Sequence, residues 1–354
     1  SPRAKANMLR HIISAGLDPE DTYGSRALKT VSDYCIVCGM CAVECPSAVN
    51  IPKLMLEVKS RYRAEHHGSP VEAILSRAET VSRWGSLTAP LTNRLLNNNA
   101  LRRLAQPLMG IDSRRPLPSF QRADRDTAAT PATPRFARPA MAGARPRVAV
   151  YFHDLFARYN EPGLLRATVD LLTAHGVQVI IPPQRASGVP EMLYGYARSA
   201  RDIAEENVAS LAPFIKEGAA VVSSEPTAVF ALKVHYPDYL TSEACSLVAN
   251  AAHDVGEFLV RYRADHPRLS LRAMALPDIR KPLRIGYHQP CHLKSQQIGS
   301  PALDLLAEIP DVEVIDFAAG CCGMAGTFGM KKGTYELSMR VGAPLFERVA
   351  RVRP

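Results

Sequence analysis

The sequence lacks any apolar run long enough to cross a bilayer, and from Ser1 it opens on polar and basic residues that do not resemble a signal peptide. Aromatic residues make up 6% of the chain, with one tryptophan. No recognition helix, aromatic stacking series or RNA-binding motif accompanies the basic charge, so nucleic acid is excluded as the expected partner. We expect a cytoplasmic protein without a transmembrane span, associated at most peripherally with the inner membrane face.

The net charge of +9 is concentrated in arginine. From Leu101 to Arg147 the chain has ten arginines, three acidic residues and no lysine. Because proline, alanine and threonine fill the same stretch, we expect an extended connector over residues 105–146. Such a basic surface either attracts anionic lipid or acidic proteins, or is simply solvated.

Four of the eight cysteines form one compact run. Cys35, Cys38, Cys41 and Cys45 are separated by two, two and three residues, and Pro46 follows the last. This is the ligand spacing of a bacterial-type [4Fe–4S] cluster. Zinc sites prefer two separated pairs of ligands, and disulfide frameworks belong to oxidising compartments. We therefore predict that these four cysteines hold a [4Fe–4S] cluster.

Helical patterns surround this run. Apolar residues recur at helical spacing in five segments. The segments are Arg3–Ile13, Ser25–Ser32, the stretch that begins at Ile51, Val71–Trp84 and Leu91–Leu104. Helices around a cluster loop are typical of an α-helical ferredoxin module, which we place at residues 1–104.

Beyond the connector, short apolar strands alternate with amphipathic helices, which implies βαβ units and a mainly parallel sheet. The predicted strands are 147–152, 177–181, 219–223, 283–288 and 312–317, and one long helix is predicted over Cys245–Arg263. The predicted fold class is α+β overall, with the ferredoxin module followed by a duplicated, Rossmann-like α/β domain over 147–354.

The duplication is visible as an internal repeat. Ala167–Leu172 resembles Pro301–Leu306, and Tyr151–Leu155 aligns with Tyr287–Cys291. In this alignment Leu155 stands at the position of Cys291, and Ala186-Ser187 stands at the position of Cys321-Cys322. We predict a degenerate repeat at 147–240 without thiols and an intact repeat at 283–354.

Cys291, Cys321 and Cys322 each follow a predicted strand, so we expect them at the carboxyl edge of the sheet, where open α/β folds bind ligands. A helix N-terminus behind Cys321-Cys322 is expected to favour thiolates. The three cysteines predict a second iron–sulfur, metal or redox site. Two alternatives remain open, namely buried structural cysteines and phosphate binding by Gly323 and the glycines that follow.

Three other residues have weaker signals. His292 is a metal ligand, a proton donor or an ordinary surface residue. Cys245 has no cysteine nearby and is expected in the core. Trp84 could lie beside a cluster, although a lone tryptophan is more often a core residue.

These motifs resemble a known family. The run Cys35–Pro46, followed by Tyr287-His-x-Pro-Cys-His-Leu and Gly320-Cys-Cys-Gly-Met-Ala-Gly, looks like the iron–sulfur component of FAD-linked 2-hydroxy-acid dehydrogenases. That family includes the iron–sulfur subunits of glycolate oxidase and anaerobic glycerol-3-phosphate dehydrogenase, and the fused D-lactate and D-2-hydroxyglutarate dehydrogenases. The resemblance implies electrons that pass from FAD on a partner domain or subunit, through cubane clusters, to a quinone or other electron carrier.

The chain departs from the family pattern in three ways. It has one ferredoxin motif where the family has two, so Cys45 either closes a single cube or serves a cluster whose other ligands lie upstream. The family's final cysteine motif would fall at or beyond Pro354, and we expect a chain truncated at both ends. Residues without thiols also stand at or near the first repeat's sulfur positions. They are Leu155, Ala186, Ser187 and Ala228.

The leading hypothesis is electron transfer within a flavin-dependent dehydrogenase of the lactate, glycolate, 2-hydroxyglutarate or glycerol-3-phosphate type. Whether the chain is itself an enzyme stays open, because it shows neither a flavin-binding pattern nor a general base paired with a substrate clamp. An alternative is heterodisulfide-reductase-like thiol/disulfide catalysis at Cys291, Cys321 and Cys322. A third is a scaffold that docks a flavoprotein through the degenerate repeat and the arginine connector.

Overall fold

The computed structural model describes residues 2–14, 22, 24–47, 49–122, 146–262 and 282–353. Helices predominate in these residues, and the strands are short and pair in parallel. The predicted α+β class is therefore confirmed. No helix in the described part of the chain combines the length and the apolar character needed to cross a membrane.

The described residues before the first strand are helical. The helices are α1 (Pro2–Ser14), α2 (Arg26–Asp33), α3 (Met40–Val43), α4 (Ile51–Glu65), α5 (Pro70–Ser76), α6 (Ala78–Leu87), α7 (Ala89–Leu96) and α8 (Asn99–Met109). The side chain of Ser25 caps α2, and Ser69 and Glu72 form a capping box at the start of α5. The helices predicted over Val71–Trp84 and Leu91–Leu104 are each two helices. The second break occurs because the Asn98 side chain accepts from Ala100 N and Leu101 N and starts a new helix.

Four parallel strands form the first sheet, in the order β2-β1-β3-β4. They are β1 (Val148–Tyr151), β2 (Gln178–Ile180), β3 (Ala220–Ser223) and β4 (Ala252–Asp254). The helices between and after them are α9 (Leu155–Tyr159), α10 (Pro162–Ala174), α11 (Val189–Leu193), α12 (Ala197–Lys216), α13 (Pro226–Phe230), α14 (Tyr236–Tyr239), α15 (Glu243–Ala251) and α16 (Val255–Tyr262). A π-helical turn over Ala231–His235 joins α13 to α14.

Strand β4 corrects the prediction of one helix over Cys245–Arg263. The segment Ala252–Asp254 is wholly buried and pairs with β3 in register, Val221 with Ala252 and Ser223 with Asp254. A strand partner at the sheet edge satisfies the backbone groups of these residues, so tertiary pairing overrides the local helical pattern.

The second sheet contains β5 (Leu283–Tyr287) and β6 (Val312–Asp316), which pair in parallel over their full lengths. Helices α17 (Cys291–Lys294) and α18 (Pro301–Leu306) connect the two strands, and α19 (Tyr335–Val352) follows β6 after a long coil. The described strands thus belong to two separate parallel sheets, and β4 lies beyond the end of the predicted degenerate repeat at 147–240.

The chain from Gly110 to Arg122 crosses to the C-terminal region. Asp112 N donates to Met330 O at 2.8 Å, and Lys332 N donates to Gly110 O at 2.9 Å. The guanidinium of Arg115 donates to Gly329 O at 2.9 Å and to Ser338 Oγ at 2.8 Å. The start of the predicted connector is therefore helical to Met109 and then fixed by hydrogen bonds, while residues 123–145 lie outside the described residues.

Candidate metal centre

The loop after α2 places three thiols around one turn of backbone. Cys35 N donates to Ser32 O at 2.8 Å, which ends α2 at the first cysteine. Val37 and Gly39 have φ values of +55° and +79°, so the chain reverses twice before α3 carries Cys41.

These thiols influence one another electrostatically. Burial raises the pKa of Cys38 and of Cys41, and the charge of Cys35 raises both further. The thiols of Cys35, Cys38 and Cys41 therefore share one electrostatic environment, and Cys45 follows α3 in the chain.

The second group of thiols is joined by hydrogen bonds. The thiol of Cys321 donates to Cys291 and lowers its pKa, and Cys322 donates to Cys321. Gly323 N donates to Cys321 Sγ at 3.3 Å. At its φ of +77° a Cβ would lie 2.1 Å from Ser338 O, so only glycine lets the turn pack against α19.

The expected helix N-terminus behind Cys321-Cys322 is absent from the described residues. A coil and a short 3₁₀ turn, Phe328–Met330, follow the pair, and α19 begins only at Tyr335. Without a helix dipole to favour the thiolates, the hydrogen bonds among the thiols and their burial raise the pKa of both Cys321 and Cys322. The expectation of a helix N-terminus directly behind the pair is therefore wrong.

The two groups of thiols pack against each other. Ser295 Oγ, just after α17, donates to Cys38 O at 3.0 Å, and a His292 ring nitrogen lies 3.1 Å from Val37 O. A Cβ on Gly39 would lie 2.9 Å from Ser295 Cβ, so the approach needs glycine. The charge of Cys321 raises the pKa of Cys38, which places both groups in one electrostatic environment.

His292 holds this contact in place. Its other ring nitrogen lies 2.9 Å from Thr227 Oγ1, and its ring stacks on Phe230 with centroids 4.8 Å apart. Burial lowers its pKa. The interpretation of His292 as an ordinary surface residue is wrong, because both ring nitrogens have partners inside the contact.

The donor set fits an anionic metal centre. Among the residues described, no three His, Cys, Asp or Glu side chains converge on a single metal ion. The cysteines of a cubane bind different irons and surround the cluster instead. Lys59 is 4% exposed, and its ammonium donates to Cys35 O at 2.9 Å, so a buried cation faces the first group of thiols. Burial lowers its pKa to about 8.

An unpartnered imidazole lies beside the second group. His288 Nδ1 is buried and has no hydrogen-bond partner among the described residues, and its charge influences the pKa of Cys322. Neither Lys59 nor His288 was identified as a site residue from the sequence. Lys59 gave no signal because it lies in an ordinary helical pattern, whereas His288 lies three residues before Cys291 and could have been noted.

Carboxylates occupy the corresponding place in the predicted degenerate repeat. Ser187 N and Oγ donate to the Asp154 carboxylate at 3.0 and 2.5 Å. Asp154 N and Phe156 N donate to the Glu225 carboxylate at 2.6 and 2.9 Å. Burial raises the pKa of both Asp154 and Glu225, the charge of Glu79 raises that of Asp154 further, and the charge of Asp154 raises that of Glu225 further. This site consists of hydrogen-bonded oxygens.

We expect Asp154→Asn to stabilise the protein at alkaline pH. In the unfolded chain, carboxyl groups lose their protons at about pH 4, whereas in the folded chain this pair keeps its protons to higher pH. The free energy of unfolding therefore falls as the pH rises from about 4. Asparagine keeps both contacts with Ser187 and removes one of the two charges. Urea unfolding should give a gain of about 2 kcal/mol at about pH 8.5 and a smaller gain at about pH 6. Asp170→Asn, on the exposed side of α10, is the control, and an equal gain from both variants would contradict the interpretation.

The exposed fractions of Cys245 and Trp84 decide two other predictions. Cys245 lies in α15 with 1% of its surface exposed, so its assignment to the core is confirmed. Trp84 is 65% exposed, and the expectation that it belongs to the core is wrong.

The C-terminal half, with its parallel strands and cysteine pair, places the chain in the cysteine-rich class. Residues 285–350 match the family model described as a cysteine-rich domain, CCG. The chain is 30% identical over 319 residues to one of the subunits of the anaerobic glycerol-3-phosphate dehydrogenase of Escherichia coli K12, covering 86% of this chain and 74% of the relative. It belongs to the family of that protein, whose members are iron–sulfur components of oxidoreductases.

Other relatives are larger or more distant. D-2-hydroxyglutarate dehydrogenase of Pseudomonas putida is 26% identical over 315 residues, which cover 87% of this chain and 29% of that enzyme. One of the subunits of the CoM/CoB fumarate reductase of Methanothermobacter marburgensis is 23% identical over 356 residues, covering 97% of this chain and 58% of the relative. No solved structure matches the chain significantly.

Proposed function

We propose that this chain transfers electrons between two iron–sulfur centres as a component of a flavin-linked dehydrogenase that oxidises a 2-hydroxy acid or a related substrate. The observation that carries the proposal is the direct packing of the Cys35–Cys41 loop against the segment that begins at Cys291. Two groups of thiols in contact suit a relay, because an electron that enters one group has a short path to the other.

The first centre is a [4Fe–4S] cluster in an α-helical ferredoxin module at residues 1–104. Cys35, Cys38 and Cys41 hold it together with a fourth ligand, which is either Cys45 or a cysteine supplied from elsewhere. The second centre is an iron–sulfur or metal site at Cys291, Cys321 and Cys322. When bound, such clusters accept and donate single electrons.

The duplicated α/β domain at 147–354 is part of the same proposal. Each half has a parallel strand pair, β1–β2 or β5–β6, joined through helices. Each half also brings the segment after its first strand into contact with a later turn, Asp154 with Ser187 in one and Cys291 with Cys321 in the other. This correspondence supports a degenerate repeat at 147–240 and an intact repeat at 283–354.

Residues around the two centres oppose the cluster's charge, hold the two segments together and exclude water. The buried ammonium of Lys59 opposes the negative charge of a thiolate-bound cluster. His292 and Ser295 hold the first loop against the second site, and the buried side chains of Phe230 and Leu293 exclude water from the contact. Dry surroundings and fixed charges are the protein's means of setting a cluster's potential.

The flavin belongs to a partner domain or subunit in this proposal, and a quinone or another carrier accepts the electrons. Relatives of the chain are named as dehydrogenases or their subunits, which supports a role for this chain in a dehydrogenase and does not favour thiol/disulfide catalysis. We propose a cytoplasmic location with peripheral attachment at the inner membrane face. An exposed apolar face on α6–α8 supports this attachment. It includes Leu87, Leu91, Leu95 and Leu104.

Anaerobic reconstitution of the full chain with iron and sulfide tests the proposal. We expect more than about four irons per chain and, after reduction, the EPR signal of a cubane that interacts with a second paramagnetic centre. A chain that binds no iron, or that binds iron without any cubane signal, contradicts the proposal.

A further inference from the structure

A large cavity lies on the side of the molecule formed by the degenerate repeat. Its volume is about 1610 Å³, and its walls come from α6, the segment at Gln121 and Arg122, the helices α9 and α10, and the turn after β2. None of its lining residues belongs to the two groups of thiols, so the proposed electron relay does not use it.

Positive charge dominates the lining. Among the described residues five arginines face the cavity, and Glu79 is the one carboxylate that lines it. The arginines are Arg83, Arg122, Arg158, Arg166 and Arg185. Glu79 is already engaged, since it accepts from Arg185 Nε and from Ala186 N, each at 3.2 Å. Among the described residues, Arg83 and Arg122 have no ion-pair partner.

The walls that carry these two arginines are fixed. The Asn93 side chain accepts from Phe120 N at 2.8 Å and donates to Phe120 O at 2.7 Å. Ser86 Oγ donates to Gln121 O. These bonds tie the segment before Arg122 to α6 and α7. A backbone that is already fixed loses less entropy on binding, which favours recognition at this surface.

Apolar groups stand among the charges. Trp84 is 65% exposed and Leu87 is 59% exposed, and both line the cavity beside Arg83. Tryptophan, tyrosine and arginine are the residues most enriched at the energetic centres of protein interfaces. This composition indicates a surface that binds another protein.

The size and backbone argue against a phosphate ligand. Small-molecule pockets measure about 300–1,000 Å³, which is less than this cavity. Phosphate sites usually use glycine-rich loops whose amides converge on one point, and no glycine stands among the lining residues that the structure describes. The arginines are instead distributed over several elements, as an extended acidic segment requires.

We propose that this cavity, the arginine cavity, binds an acidic segment of a partner protein, with Arg83 and Arg122 contacting its carboxylates and Trp84 packing on its backbone or side chains. The proposal goes beyond electron transfer and does not depend on iron. In this proposal the degenerate repeat, which is the half of the α/β domain without thiols, serves as an interaction surface.

The test uses the full chain and a fluorescent polyglutamate peptide of about ten residues, long enough to span several arginines. Binding is followed by anisotropy and by Trp84 emission, which reports this cavity alone because the chain has one tryptophan. We expect Arg83→Glu combined with Arg122→Glu to weaken binding by about tenfold or more. The matched control reverses Arg198 and Arg201, which are exposed on α12, and should bind as the unmodified chain does.

Two outcomes overturn the proposal. One is that the cavity and control variants weaken peptide binding equally, or that the peptide binds without changing Trp84 emission. Either result shows unspecific attraction to a basic protein. The other is tighter binding of inorganic tripolyphosphate than of the peptide, with the same dependence on Arg83 and Arg122, which would identify a phosphate site. Loss of peptide binding at about 0.5 M salt, with retention at about 0.05 M, supports the proposal when the control variant behaves normally.

Discussion

Replacement of Cys38 by alanine is expected to remove the cubane centre altogether. Cys38 is the middle thiol of the first group, and its carbonyl also accepts the hydrogen bond from Ser295. Alanine leaves the backbone contact in place and removes one of the three thiols that the structure brings together. A cluster that loses a thiolate from this group has too few protein ligands to persist.

The measurement is iron content and EPR after anaerobic reconstitution. We expect the Cys38→Ala chain to bind about four fewer irons than the unmodified chain and to show no cubane signal on reduction. Cys245→Ala is the matched control, because Cys245 is a buried cysteine in α15 that belongs to neither group of thiols. If Cys38→Ala retains full iron and signal while its folding is intact, the assignment of the first centre fails.

Cys45 needs a separate comparison because the spacing leaves two roles open for it. If Cys45 closes the cube in this chain, Cys45→Ala reproduces the loss seen with Cys38→Ala. If the fourth ligand comes from elsewhere, Cys45→Ala leaves the first centre intact. The two results decide between the alternatives that the spacing alone left open.

The sequence predicts the parts of this protein that depend on local spacing. The helix start at Ser25 is one such part, since a single side chain caps it. Cys245 was assignable because an apolar helical pattern surrounds it. Each of these features is determined by residues a few positions apart.

Features that depend on distant residues could not be predicted. Ser295 and Cys38 are 257 residues apart, and nothing in either segment indicates that the other will cover it. Strand β4 exists because β3 offers it a partner, against a helical pattern on both sides. The arginine cavity likewise combines Arg83 with Arg185, which belong to different predicted domains.

The second centre gives the other large expected effect. Cys321→Ala combined with Cys322→Ala removes two of the three thiols that hydrogen bonds join at this site, and Cys291 alone cannot hold a cluster. The first centre keeps Cys35, Cys38 and Cys41. We therefore expect iron to fall while the cubane remains, and its EPR signal to lose the broadening that a nearby second paramagnet causes.

This variant separates a relay from two independent sites. Because the segments that carry the two groups of thiols are in contact, loss of the second centre is expected to change the relaxation of the first, even though no ligand of the first has been altered. Cys245→Ala should leave both the iron content and the relaxation unchanged, and urea unfolding checks that the double variant is folded. Unchanged iron in the double variant would show that Cys321 and Cys322 are structural thiols. Reduced iron with unchanged relaxation would show a second centre too far from the first to receive its electron directly.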